Sequence, residues 1–345
     1  MDTKTVVFEL PDELNAASPP ERRGIRRDHV KLLVLDRQTG HRSHAHFHQL
    51  GEYVQPGDLL VLNASRTIPC VLYGVWRRSG AVMAARVEIR LARRLNGAAW
   101  EALAVDATVE AGDTFEFSPA LSAVAEGTSV KPLIRIVFSL EGAALMDQIY
   151  AWAEPVRYEY IRQPWELDYY QTVYASVPGS VEMPSAGRAF SWELLFKLQR
   201  SGVRIAYVQL HTGLSYIPES GGHPDPTYNF EQFEVPAETI EAIKQTMQRG
   251  GKVIAVGTTV VRALESSVDA SREPVAMSGW TNLMINRTTP LQVVNGLISG
   301  FHEPEASHLE LLSAFVDPDM LYDAYREAIE LGYLWHEFGD MNLII

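Results

Sequence analysis

The grouping best suited to hold a ligand is Gly257-Thr258-Thr259, followed at helical spacing by Arg262 and Glu265. Backbone N–H groups at a helix N-terminus, two hydroxyls and a guanidinium suit an anionic or hydroxyl-rich ligand. His211 follows the apolar run Val203 to Leu210. A histidine just past a parallel strand can move a proton near neutral pH, although a structural role is equally open to it. Asn63-Ala64-Ser65-Arg66 forms a polar corner between two apolar runs, and the small-residue loop Gly179 to Phe190, with Ser185 and Gly187, allows a backbone to approach a ligand closely. His41, His44, His46 and His48 recur at spacings of two or three, but alternate with residues suited to a half-exposed strand, and no carboxylate sits among them to complete a metal site.

The elements that must position these residues are legible as periods. Gly250 to Ser266 reads as strand, tight turn and helix: the β-branched run Val253 to Val256 suits a strand covered on both faces, Gly257 permits a sharp exit, and Thr258 or Thr259 is the expected cap. Arg262 and Glu265 are expected to face outward. Val30 to Asp36, two runs within 56 to 74, and Val203 to Leu210 read as further strands, and Phe8 to Leu14 as a strand end with a short capped turn. Between residues 81 and 138 the pattern changes to Ala81 to Leu91, Ala99 to Val105, Thr114 to Phe117 and Pro132 to Phe138, punctuated by Gly80, Asn96-Gly97 and Gly112-Asp113. No helical period intervenes, so this is expected to be a small antiparallel barrel. Helices are predicted at Ala143 to Trp152, Trp192 to Arg200 behind a Ser191 cap, Ala237 to Arg249, Ala306 to Phe315 and Leu321 to Leu331, with strands near Leu283 to Ile285 and Val293 to Ile298. The fold class is therefore α/β, with a main domain of residues 1–65 and 150–345 interrupted by an inserted antiparallel β-barrel at 66–149.

The chain has 345 residues, 46% of them hydrophobic, which is ample for a large core and two domains. Its single cysteine, Cys70, excludes an intrachain disulfide framework and fits a reducing cytoplasm. Neither a signal-length apolar run at the start nor a span-length run elsewhere is present, so no membrane partner is expected. The formal net charge of −13 argues against wholesale nucleic-acid binding. The charge is uneven, however: residues 21 to 31 carry five Lys or Arg against two acids, 76 to 94 carry six Arg against one, and 303 to 345 hold ten acids against Arg326. The basic segments could face a polyanion, or be solvated faces.

Several stretches together resemble one family, the S-adenosylmethionine:tRNA ribosyltransferase-isomerases of queuosine biosynthesis. They are Pro56 to Asn63 with Arg66 and Ile68-Pro69, Tyr170 to Ala175 with Gly179-Ser180-Val181, Pro184 to Gly187, Leu210 to Leu214, Gly250 to Ser266, Gly279-Trp280-Thr281, Phe301-His302 with Ser313-Ala314-Phe315, and Phe338-Gly339-Asp340. Each alone is weak, but they run in family order over nearly the whole chain. The resemblance implies a cytoplasmic enzyme that moves the ribosyl part of S-adenosylmethionine onto 7-aminomethyl-7-deazaguanine in the tRNA anticodon, forming epoxyqueuosine and releasing adenine and methionine. S-adenosylmethionine is then a co-substrate, with no bound cofactor and no metal. His211 and His302 match the family pattern and are the acid/base candidates, with Asp340 and Glu265 as orienting or base carboxylates. Gly257, Thr258, Thr259 and Arg262, together with Ser185, Gly187, Glu231, Asn63 and Arg66, are the substrate-binding candidates.

Departures from the family pattern cluster in the loops. Arg188 and Ala189 stand where the family has Leu and His. Pro226-Thr227-Tyr228-Asn229-Phe230-Glu231 stands for His-x-Met-His-x-Glu, so histidines are replaced by Pro226 and Asn229 while Glu231 remains. Glu303-Pro304-Glu305-Ala306-Ser307 replaces Leu-Pro-Lys-Ser-Thr, and the early Glu-Pro-Arg-Asp-x-Ser-Arg pattern is blurred in Arg22 to Lys31. Two other readings stay open at this level: a paralogue using S-adenosylmethionine or another nucleoside with a different acceptor, and a noncatalytic RNA- or nucleoside-binding protein.

Overall fold

A computed structural model describes residues 8–158, 160–214, 229–304 and 306–345. Its organising layer is a mixed nine-stranded sheet in the order Met277–Thr281, Glu231–Val235, Arg204–Leu210, Leu59–Asn63, Val253–Val256, Gly296–Gly300, Met341–Ile344, Lys31–Leu35 and Arg42–His46. Leu59–Asn63 lies at the centre, parallel to both Arg204–Leu210 and Val253–Val256, and every residue of the two strands Leu59–Asn63 and Val253–Val256 is buried. Side chains alternate across a strand, and the core divides accordingly. Leu59, Val61, Val253 and Ala255 pack with the helices Ala237–Gln248, Thr258–Ser266 and Pro318–Glu330 on one face. Leu60, Leu62, Ile254 and Val256 pack with Trp192–Arg200 on the other. Continuous apolar runs are thus what burial on both faces requires.

Between Leu59–Asn63 and Arg204–Leu210 the chain forms a closed barrel in the order Ile134–Phe138, Ala99–Ala104, Ala81–Arg94, Val71–Arg78, Thr114–Ser118, Leu121–Thr128. Trp100 and Phe115 are fully buried in its core, against which Leu145 and Ile149 of the helix Gly142–Trp152 also pack. The α/β class with an inserted antiparallel barrel is what the turn-punctuated alternation predicts.

Some local expectations need correction. Neither Thr258 nor Thr259 caps the turn helix: Gly257 occupies the cap at φ 98°, ψ 150°, with no side-chain cap bond. Leu283 to Ile285 is not a strand; the strand before it is Met277–Thr281, which pairs with Glu231–Val235 at the sheet edge. The opening Phe8 to Leu14 forms only a short 3-10 turn, Asp12–Leu14, without a side-chain cap. The last two helices are shorter or earlier than the pattern suggests, Ser307–Leu312 and Pro318–Glu330, the second fixed by Pro318 at its first turn and by Asp317, whose side chain accepts from the Asp319 N–H. Ser191 does cap Trp192–Arg200, its Oγ accepting from Leu194 N at 3.1 Å.

Candidate functional site

The strand Val253–Val256 ends at Gly257, and there a cavity of about 260 Å³ opens. Gly257, Thr258, Thr259 and Arg262 form one wall of it. The Gly257 backbone lies in a region that L side chains rarely adopt, and a Cβ there would also meet the Ala186 Cβ at 3.4 Å. The turn therefore brings the N-terminus of a nine-residue helix to the cavity with no side chain in the way.

The opposite walls come from segments far apart in sequence: Glu182 and Ser185, Thr212 and Gly213, Asn229 and Glu231, and His302, His308 and Glu337. Arg262 reaches across to make an ion pair with buried Glu231, and its Nε donates to Leu283 O at 3.2 Å. Burial pushes the Glu231 carboxyl up, and the Arg262 charge opposes the shift. Arg262 is thus not a free outward cation; it is locked to the one acid that persists in the altered segment.

His302 faces Ser299, with Nε2 and Ser299 Oγ 2.7 Å apart, and its ring stacks on His308 at a centroid distance of 4.4 Å. Burial, with the nearby imidazoles of His308 and His336, holds it well below the ordinary histidine range. A neutral imidazole beside a cavity can accept a proton. His211 is placed differently. Thr212 and Gly213 line the cavity, whereas the His211 ring turns toward Ser65, with Nδ1 2.8 Å from Ser65 Oγ, which is itself 2.6 Å from Ser180 Oγ. Gly179 is the residue that leaves room for this ring, since a Cβ there would sit 2.4 Å from Nδ1.

The carboxylates Asp340 and Glu265 do not line the cavity. Asp340 is buried and accepts from Lys31 N at 2.6 Å and Leu334 N at 2.7 Å. Glu265 does not point outward but accepts from the N–H groups of Gln292, Val293 and Val294 at 2.8, 3.0 and 3.0 Å. Both acids are saturated by backbone donors and act as loop braces. Asn63 is used in the same way, its Nδ2 donating to Leu210 O at 2.8 Å and its Oδ1 accepting from Ser65 N at 3.1 Å. Gly187 is a packing glycine, for a Cβ would fall 2.0 Å from Tyr174 Oη. Arg66 lies half-buried in a short strand, Ser65–Thr67, paired with Val177–Ser180.

The altered positions have distinct fates. Arg188 is buried, with Nη2 2.8 Å from Glu21 Oε2 and Nε donating to Tyr169 O at 2.7 Å, so it ties its loop to the N-terminal turn. Burial draws its pKa down to about 10. Ala189 is in the core, Asn229 lines the cavity, and Pro226 lies outside the described residues. Sequence reading missed Tyr158, Glu182 and Glu337, single loop residues without a period of their own, and His308, the second residue of the helix Ser307–Leu312. The only signal available was the titratable pair His336-Glu337 directly before Phe338-Gly339-Asp340.

The barrel arginines are largely spoken for. Arg77 pairs with Glu116, Arg78 with Glu110 and Asp113, Arg90 with Glu88, and Arg93 with Glu101. In the sheet-edge histidine run, the His44 ring nitrogens lie 2.8 Å from Tyr333 Oη and 2.9 Å from Glu327 Oε1. Among the described residues no helix is long and apolar enough to cross a membrane.

An α/β sheet carrying a closed barrel, with a cavity at the strand-to-helix turn beside a neutral histidine, defines a ligand-binding enzyme scaffold of a particular architecture. The chain belongs to the queuosine biosynthesis protein family, whose model matches residues 3–344. It is similar, at 36% identity over 356 aligned positions and the full length of both chains, to the S-adenosylmethionine:tRNA ribosyltransferase-isomerase of Carboxydothermus hydrogenoformans. Among solved structures it is similar to the S-adenosylmethionine tRNA ribosyltransferase of Thermotoga maritima, with a TM-score of 0.55, 31% identity and 99% of each chain covered.

Proposed function

We propose that this protein transfers and isomerises the ribosyl moiety of S-adenosylmethionine onto 7-aminomethyl-7-deazaguanine in the anticodon of tRNA, giving epoxyqueuosine and releasing adenine and methionine in the cytoplasm. The observation that carries the reading is full-length membership of the family, with the Gly257-Thr258-Thr259 turn intact at a cavity. The sulfonium of the co-substrate acidifies the adjacent C5′ protons, so a neutral base in the cavity suffices to remove one. His302 has the place and the protonation state for that task. Glu231, whose carboxyl is pushed up by burial and drawn back by Arg262, has the place of a hydrogen-bonding partner opposite Arg262. The methionine carboxylate or ribose hydroxyls fit the helix N-terminus at Thr258 and Thr259, where the dipole favours anionic groups. His211 stands one residue behind the wall and sets the position of Thr212 and Gly213, while Asp340 and Glu265 keep the flanking loops in register.

Incubation with S-adenosylmethionine and tRNA carrying the aminomethyl precursor, with adenine followed over time, tests the reading. Adenine release dependent on that tRNA is the expected result. Tight nucleoside binding without any adenine would overturn it.

A further inference from the structure

The strand Gly296–Gly300 carries one hydroxyl among glycines and apolar side chains, that of Ser299, and it is buried. The strand is held by its backbone, which pairs with Met341–Ile344 and sets Ser299 opposite Asn342, so the ladder needs nothing from this side chain. Among the described residues the partner of the hydroxyl is the His302 ring, with Oγ and Nε2 2.7 Å apart. Both residues line the cavity at the Gly257 turn.

The neighbouring packing leaves the ring little freedom. Phe301 is sunk among Tyr325, Tyr333 and Trp335, with ring centroids 5.2, 5.4 and 4.8 Å away. The indole N–H of Trp335 donates to the His302 carbonyl at 3.1 Å. The main chain at His302 is thereby anchored on both sides, and what remains is the orientation of the imidazole itself. His308 settles its plane, since the two rings are 2° from parallel with centroids 4.4 Å apart. A plane still allows two placements, related by a half-turn about the Cβ–Cγ bond that exchanges ring nitrogens with ring carbons. The Ser299 hydroxyl selects one of them, because a carbon in place of Nε2 would leave a buried hydroxyl without its partner.

The same contact bears on the proton. A neutral imidazole has one N–H and one lone pair, and the bond made by one nitrogen decides the state of the other. With Nε2 held by Ser299, Nδ1 is the nitrogen left for a ligand in the cavity. A base working there needs its lone pair on Nδ1 and therefore its hydrogen on Nε2.

We propose that Ser299 is a positioning residue for His302: its Oγ accepts the Nε2–H, fixes that tautomer and leaves the Nδ1 lone pair for the substrate. In the reaction the C5′–H bond breaks, the proton goes to Nδ1 and the electron pair stays on the carbon beside the sulfonium. The positive charge arriving on the ring is shared with Nε2–H, so the bond to Ser299 strengthens as the proton is taken. This deepens the function proposed above and rests on it for the task of His302.

The tautomer is read from long-range proton–nitrogen NMR correlations of the isotope-labelled full chain, the His302 signals being those lost in His302→Ala. Wild type should show the hydrogen on Nε2 and a lone pair on Nδ1. Ser299→Ala should mix the two tautomers and lower kcat for adenine release by about tenfold, with KM for S-adenosylmethionine within about threefold of wild type. Ser299→Thr keeps the hydroxyl and should show the single tautomer with kcat within about threefold of wild type. A hydrogen on Nδ1 in wild type, a Ser299→Ala variant with the wild-type tautomer or undiminished kcat, or a Ser299→Thr variant as slow as Ser299→Ala despite the wild-type tautomer would each overturn the proposal. Should Ser299→Ala fail to fold, the wild-type spectrum and Ser299→Thr still decide it. The spectrum does not depend on turnover, so the two readings fail separately. No adenine release by wild type, with the hydrogen on Nε2, sinks the proposed reaction and leaves the ring's orientation standing; adenine release with the hydrogen on Nδ1 sinks the positioning alone.

Discussion

The rings of His302 and His308 lie face to face, 2° from parallel with centroids 4.4 Å apart. Two imidazolium ions stacked face to face would repel, and burial together with the neighbouring imidazoles holds His302 well below the ordinary histidine range, so His302 is ready to take a proton rather than already holding one.

His302→Ala should lower adenine release by about a hundredfold or more if the imidazole is the base. The His302 ring signal in an NMR titration, assigned by its loss in that variant, should stay unchanged between pH 8 and pH 6. A midpoint near the ordinary histidine value, or a near-normal rate for the variant, would show that the stack serves another purpose.

Glu337 links the site to the pH dependence of stability. Its pKa is about 7 in the folded protein against a reference of 4.5. Between those values the native state holds the proton that the unfolded chain has lost, and stability therefore falls as pH rises through that window. Glu337→Gln should flatten the fall by about 1–3 kcal/mol, measured by urea denaturation at pH 5 and pH 7.5. An unchanged slope in the variant would mean that Glu337 is ionised throughout.

Glu265→Ala removes the acceptor for three successive backbone N–H groups at Gln292, Val293 and Val294. Leaving such donors without a partner should cost about 2–4 kcal/mol of stability, seen as a lower denaturation midpoint. A stability within 0.5 kcal/mol, roughly the noise of a surface substitution, together with a collapse in turnover would instead return Glu265 to the chemistry.

Gly257→Ala places a side chain on a backbone with φ 98°, at a cost of about 1–3 kcal/mol, and pushes on Ala186. The expected outcome is a folded but less stable protein whose S-adenosylmethionine affinity drops severalfold, by calorimetry. Undiminished affinity would remove the turn from the binding site.

The sheet was legible because its central strands are buried on both faces: Leu59–Asn63 and Val253–Val256 show as short, nearly continuous apolar runs. Strands away from that centre hide better. Glu231–Val235 alternates buried and exposed residues within five positions beginning and ending in a loop, and Leu121–Thr128 is rich in Ala with a Gly, so neither offers β propensity to read. The cavity wall at Gly257 could be found because backbone geometry demands a particular residue there. Roles that depend on where a side chain turns could not: His211 and Glu265 occupy the expected positions in the chain but aim at Ser65 and at the 292–294 backbone. Glu337 and Tyr160, more than 150 positions apart, come to line one cavity only through the fold.

Four barrel arginines, Arg77, Arg78, Arg90 and Arg93, already hold carboxylates. To contact phosphate, each would first have to give up an acid, so the barrel releases few counterions when an RNA arrives. The affinity for tRNA should consequently decline with ionic strength more gently than six arginines in one segment suggest, leaving recognition of the folded RNA to depend more on shape than on charge.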